Sequence, residues 1–290
     1  MFDTFTVDTI DTGDVALRVR HGGTGPALLL LHGHPRTHLT WRRVADELAE
    51  RFTVVCPDLR GYGRSGKPAS TPTHEPHSKR AMALDCVRLM TLLGHDRFAV
   101  TGHDRGGYVA LRLAMDHPER VTHLTALDVV PIGEALRRCD ARFAAEWWHW
   151  FFLASPDAEK IIANDPDLFY GLRYGDDEDD MNRAEYEDYQ AAIHDPETVH
   201  AMCEDYRAGL SVDRAHDDAD RAAGRRLSCP TQVLWGRDSG LAELYDGDVL
   251  GVWRPWAADL RGRALPGGHH LMEEAPRELA RELTGFLTGD

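Results

Sequence analysis

The residues most able to do chemistry lie in the stretch Gly102-His103-Asp104-Arg105-Gly106. It follows an apolar β-branched run and precedes a helical pattern, so it reads as strand, sharp turn, helix. A Gly-x-nucleophile-x-Gly turn is strained and leaves little room beside the central residue. The two glycines supply that room. The central residue here is an aspartate. At a helix N-terminus its negative charge is favoured, and a carboxylate can attack carbon without a base to activate it. An aspartate after a strand can equally be a plain helix N-cap, so the turn needs company before it means catalysis.

That company occurs in chain order. His32-Gly33-His34-Pro35 follows an apolar strand pattern, Asp58-Leu59-Arg60-Gly61-Tyr62-Gly63 follows the next, and Gly267-Gly268-His269-His270 follows the last, ahead of Glu274 and Pro276. A histidine late in the chain can activate water against an ester formed on Asp104, with a third group orienting the imidazole. Two carboxylates at strand ends compete to orient it, Asp128 and Asp238, and either could instead cap a turn.

These residues need a scaffold that brings strand ends together. Candidate strands fall at 2–7, 16–20, 27–31, 52–57, 98–102, 123–127, 232–235 and 263–265, and helical patterns at 41–50, 79–93, 107–116 and 277–287. Strands alternating with helices predict an α/β fold with a mostly parallel, eight-stranded sheet. From 132 to 226 the alternation stops and aromatic and acidic helical stretches take over, with a solvated acidic loop expected at 175–180. The expected organisation is a core of 1–131 and 227–290, with a helical lid of 132–226 inserted after the sixth strand. Such a lid would cover the carboxyl edge of the sheet, where open α/β folds bind ligands.

Taken together, the motifs resemble the α/β hydrolases of the haloalkane dehalogenase and epoxide hydrolase group along essentially the whole chain. The resemblance implies that Asp104 forms an ester and that His269, chosen over His270 by its spacing to Glu274 and Pro276, hydrolyses it. Those relatives commonly carry tryptophan after the nucleophile, whereas this chain has Arg105. A buried guanidinium needs an anion, and arginine can hold a carboxylate by two parallel hydrogen bonds. An acid substrate is the expectation. The lid segments Trp148-His149-Trp150-Phe151-Phe152 and His200-Ala201-Met202-Cys203-Glu204-Asp205-Tyr206-Arg207 are similar to those of the fluoroacetate (haloacetate) dehalogenases. That resemblance implies a halide held by His149, Trp150 and Tyr206, and Asp128 as the group orienting His269. It also implies backbone N–H groups of His34 and Arg105 as oxyanion donors, and Arg105 with Tyr108 for the substrate carboxylate. Two departures concern the same pocket. Tyr108 replaces a second arginine, and His34 replaces a phenylalanine.

The expected activity is hydrolytic dehalogenation of a short haloacid, without metal or organic cofactor. An epoxide hydrolase would use the same Asp104 and His269 but wants two lid tyrosines; Tyr206 is one, with Tyr170, Tyr174, Tyr186 and Tyr189 as candidates for the other. A binding protein on this scaffold would need neither nucleophile nor base. The formal charge of −15 argues against nucleic-acid or anionic-membrane partners. No apolar run is long enough to span a membrane. The N-terminus lacks a signal-peptide pattern, and Cys56, Cys86, Cys139, Cys203 and Cys229 follow no disulfide or metal spacing. A cytoplasmic enzyme with reduced, mostly internal thiols is expected, and the family resemblance makes a homodimer plausible.

Overall fold

The structure, a computed structural model, describes residues 2, 4–171 and 183–289. Eight strands form one sheet in the order β1-β2-β4-β3-β5-β6-β7-β8: β1 Thr6–Asp11, β2 Ala16–Gly22, β3 Ala27–Leu31, β4 Thr53–Pro57, β5 Phe98–His103, β6 Val121–Leu127, β7 Thr231–Gly236 and β8 Leu260–Leu265. The first two strands run antiparallel to their neighbours and the remaining six are parallel. Parallel strands are covered on both faces, which is why β3, β5 and β7 are buried throughout. Successive residues of each strand feed opposite clusters. Leu29, Leu31, Val55 and Val100 pack on one face, while Leu28, Leu30, Val54 and Ala99 pack on the other.

The helices between the strands include α1 Arg42–Leu48, α2 Lys79–Leu92 and α3 Arg105–Asp116. Between β6 and β7 come only helices among the described residues: α4 Ile132–Arg137, α5 Ala141–Glu146, α6 His149–Leu153, α7 Ala158–Ile162, α8 Pro166–Tyr170, α9 Arg183–Ile193, α10 Pro196–Ala208 and α11 Arg214–Ala222. A π-helical turn, Gly209–Asp213, joins the last two. The acidic run 175–180 and Tyr174 lie outside the described residues. No helix is long and apolar enough to cross a membrane, among the described residues.

Three expectations shift. The first strand begins four residues later than expected, at Thr6 instead of position 2. Phe2 and Phe5 leave the sheet and stack edge-on at 4.8 Å, plugging the cluster around Trp41 and Leu48. The polar segment after them forms the exposed edge strand. Helix α3 starts at Arg105 and not at 107, because the turn at Asp104 is completed in a single residue with φ of 47°. Finally, Cys139 is exposed, while the other four cysteines are buried and all five are free.

Candidate active site

Strand order carries the site. Leu31 of β3 pairs with Gly102 of β5, and His103 of β5 pairs with Leu127 of β6. The residues just beyond these ends, His34, Asp104 and Asp128, therefore emerge side by side at the carboxyl edge of the sheet, about 5 Å apart per strand. The turn at Asp104 has no room for side chains next to it. A Cβ on Gly102 would meet the Gly106 carbonyl oxygen at 2.2 Å, and one on Gly106 would meet the His32 oxygen at 2.4 Å. Asp104 makes no side-chain cap to α3. Its Oδ1 instead accepts the His34 backbone N–H at 2.7 Å, and its Oδ2 lies 4.0 Å from His269 Nε2. Asp104 thus holds the N-cap position of α3 with its backbone, while its side chain turns to the site instead of capping the helix.

His269 sits between two carboxylates. Its Nδ1 is 2.6 Å from Asp128 Oδ2, which fixes the ring and aims Nε2 at Asp104. Asp128 is also in the left-handed region, with φ of 51°. Its second oxygen accepts Gly236 N–H at 3.0 Å and the Ser239 hydroxyl at 2.8 Å. The competing Asp238 is exposed and contributes only its backbone N–H, to Gly267 O at 3.0 Å. So β7 supports the orienting carboxylate but does not provide it. The neighbouring His270 does not face Asp128; its backbone N–H donates to Glu274 Oε1 at 2.9 Å. The same Glu274 carboxylate takes the Gly268 N–H, so it clamps both sides of His269. His103 adds a bond from Nε2 to the His269 carbonyl at 2.8 Å. Glu274 entered the sequence reading only as a spacing; its clamp explains why that spacing works.

Charges follow from these contacts. Burial would raise the Asp104 carboxyl, but the charges of His269 and Arg105 and the Arg105 backbone N–H outweigh it and hold the group at about 2. Burial would lower His269, yet its bond to Asp128 and the charges of Asp128 and Asp104 lift it to about 8. Burial depresses His34 to about 3 and His149 to about 4, so both rings are neutral hydrogen-bond groups at pH 7.

Residues of the helical insertion between β6 and β7 gather at the same place. The rings of His149 and Trp150 lie 5.9 and 6.5 Å from Tyr206, which lies 5.2 Å from the His34 ring. Tyr108 meets Trp150 edge-on at 5.9 Å. Around them, His34 Nδ1, Arg105 Nη1 and the Tyr170 hydroxyl are buried without a hydrogen-bond partner among the described residues. A cavity of about 190 Å³ is lined by Asp104, Tyr108, His149, Trp150 and His269, together with Asp128, Glu146, Trp147, Gly240 and Leu241. Nothing in the sequence around the last four marked them. At about 30 Å³ per water, this volume suits a molecule of a few heavy atoms.

Arg105 is the residue whose surroundings differ most from expectation. It is fully buried, and a carboxylate of the protein itself, Asp205 of α10, pairs with its Nε at 2.9 Å and its Nη2 at 3.0 Å. Its Cζ lies 4.2 Å from the Tyr206 ring centre. The argument that a buried guanidinium must have an anion already demanded such a partner, and Asp205 lies in a lid segment singled out in the sequence. Tyr170, 5.7 Å from the His34 ring, also approaches the site, while Tyr189 packs behind it at 6.5 Å from Tyr170. No cluster of three metal-ligand side chains is present among the described residues.

Chemically, the arrangement offers an ionised carboxylate, a base fixed against a second carboxylate, a backbone donor on the carboxylate, and neutral N–H and O–H donors opposite. Comparison with known proteins agrees with this fold. The family model for the alpha/beta hydrolase fold matches residues 26–276. A fluoroacetate dehalogenase from Burkholderia sp is 42% identical over 99% of this chain and 95% of its own length. A soluble epoxide hydrolase from Corynebacterium sp. (strain C12) is 33% identical, covering 88% of this chain and 87% of its own. Among solved structures, a Nostoc sp PCC 7120 protein provisionally assigned as an alpha/beta hydrolase superposes with a TM-score of 0.94 at 41% identity, covering 100% of both chains. With its nucleophile turn, its ordered strand ends and these relatives, the chain belongs to the alpha/beta hydrolase-fold family.

Proposed function

We propose that the protein is a cytoplasmic haloacid dehalogenase that converts a short 2-haloacid, such as a haloacetate, to the hydroxy acid and halide, with the segment 132–226 acting as its lid. The observation that carries this reading is the grouping of three potential donors: His149 and Trp150 line the cavity with Asp104, and the Tyr206 ring packs against both. A leaving halide, fluoride above all, needs such donors because it gives up strong hydration as it forms. The likeness to the Burkholderia fluoroacetate dehalogenase supports the same reading.

In this mechanism Asp104 Oδ2 attacks the carbon bearing the halogen from the side opposite the halide. The C–O bond forms as the carbon–halogen bond breaks, and the halide departs into the lid donors. Esterification removes the Asp104 charge that helps hold a proton on His269. The imidazole therefore becomes a free base when the ester exists and a base is needed. His269 Nε2 then takes a proton from water, whose oxygen attacks Asp104 Cγ. Negative charge builds on Oδ1, the atom that already accepts the His34 N–H at 2.7 Å, with the Arg105 N–H as second donor. Collapse of this intermediate expels the alkoxide, which takes the proton from His269, and the regenerated Asp104 carboxyl ionises. The substrate carboxylate is held by Arg105 Nη1 and the Tyr108 hydroxyl.

The test is halide release from fluoroacetate and chloroacetate by the wild type, Asp104→Ala and His269→Ala. The expected result is continuous release by the wild type alone, no release by Asp104→Ala, and at most one halide per enzyme from His269→Ala as it traps the ester. No release from either acid overturns the reading. A second reading, epoxide hydrolysis by the same Asp104 and His269, draws on the pair Tyr206 and Tyr170, whose rings both pack on His34, and on the Corynebacterium relative. Turnover of styrene oxide without halide release would favour it.

A further inference from the structure

The lid carries a carboxylate that no step of the proposed reaction uses. Asp205 is fully buried and accepts Arg105 Nε and Nη2, the Tyr62 hydroxyl at 2.6 Å, and Lys79 Nζ. Its backbone carbonyl takes a further bond from Arg105 Nη2 at 2.9 Å. Gly209 lets the guanidinium lie against the lid backbone, since a Cβ there would come within 2.9 Å of Nη2. The two-donor edge of Arg105 is thus occupied, and Nη1 is its one nitrogen without a partner among the described residues. The second cation, Lys79, is buried and also faces Asp213, whose Oδ2 is 3.8 Å from Nζ. Two buried cations and two buried carboxylates therefore balance. One helical turn beyond Asp104, Tyr108 offers a hydroxyl and no charge.

A substrate anion approaching Nη1 meets an ion pair instead of a lone positive charge, and the attraction of a neutralised pair falls off much faster than that of a single ion. An amide oxygen can accept from Nη1 and Tyr108 much as a carboxylate oxygen can. We propose that Asp205 is a specificity-determining residue that neutralises Arg105, so that the site takes short α-halo carbonyl compounds with little discrimination between the acid anion and the neutral amide. This rests on the dehalogenase reading above.

The experiment compares kcat/KM for chloride release from chloroacetate and chloroacetamide in the wild type, Asp205→Asn and the double variant Lys79→Met/Asp205→Asn. The wild-type ratio should lie within about thirtyfold of one, and both variants should shift it towards the acid by about tenfold or more as the guanidinium charge is uncovered. The double variant removes one charge of each sign, so it carries the test if Asp205→Asn does not fold. A merely structural role for Asp205 would lower both substrates together. A wild-type preference for the acid beyond about thirtyfold, or a ratio that neither variant moves, overturns the proposal. Absence of chloride from both substrates with the wild type instead removes the dehalogenase reading, and this inference falls with it.

Discussion

The two halves of the site are built by different means. On the sheet side, Asp104, His269 and Asp128 project from strand ends whose register sets their separation, and two of them sit in left-handed backbone conformations. Backbone groups surround them: the His34 N–H on Asp104, the Gly236 N–H on Asp128, and the Glu274 clamp on the His269 loop. On the side of the helical insertion, His149 and Trp150 come from the five-residue α6 and Tyr206 from the thirteen-residue α10, and they are held by ring contacts and by the buried pair of Arg105 with Asp205. The sheet side is rigid because hydrogen-bonded strands define it. The lid side depends on side-chain packing, which a substitution can rearrange without disturbing the fold. On the proposed reading, the chemistry sits on the first and recognition of the substrate on the second.

This contrast can be broken most severely at the orienting carboxylate. Asp128→Asn should lower kcat by about 10³-fold or more, since the imidazole loses both its tautomer and its ion partner. It should also move the pH profile. His269 is lifted to about 8 in the free enzyme, with part of that lift coming from the Asp104 charge. Once Asp104 is esterified, the hydrolytic step should therefore rise with pH at a value below 8. In the variant that limb should fall towards the ordinary 6.5, as read from pre-steady-state rates across pH. The stability contribution of the same pair has a raised folded pKa. It is complete below the unfolded value of 6.5 and is lost as pH rises through about 8. Chemical denaturation at pH 6 and pH 9 should show this difference in the wild type and not in Asp128→Asn.

A smaller effect is expected on the lid. Tyr206→Phe removes one halide donor and should slow turnover by about 10²-fold for fluoroacetate and by less for chloroacetate, because fluoride asks most of its donors. Equal losses for the two halogens would assign Tyr206 to packing. Tyr108→Arg exchanges a neutral donor for a cation beside Arg105 and should shift the KM ratio of acid to chloroacetamide towards the acid by about tenfold. Smallest of all, Glu274→Gln keeps one acceptor for the His269 loop and should cost about 1 kcal/mol or less in folding stability, measured by thermal melting, with a modest loss in kcat.

Much of the sheet side was legible along the chain. The nucleophile turn is a local motif, with glycine on both sides of Asp104, and the apolar strand patterns place it in a parallel sheet. The first strand was misplaced because Phe2 and Phe5 look like strand residues, whereas tertiary packing uses them as a plug. Residue type and spacing did not separate Asp128 from Asp238; the family resemblance favoured Asp128, and the fold gives the physical reason. Both follow strands, and only the left-handed turn at Asp128 directs its carboxylate towards His269. Glu146, Trp147 and Leu241 carry no local signal; they line the cavity only because lid and core meet there.

By itself the sequence determined the α/β alternation, the position and type of the nucleophile, and the order of the motifs around it, because those depend on residue type and short-range periodicity. Residue type and spacing left Asp128 and Asp238 open, with only the family resemblance favouring Asp128. The tertiary structure puts Asp128 on His269, and it alone decided that Arg105 is already paired with Asp205, 100 residues away in the chain. The physical reason is that a buried charge must find a partner, and which partner it finds depends on which distant segments are packed against it.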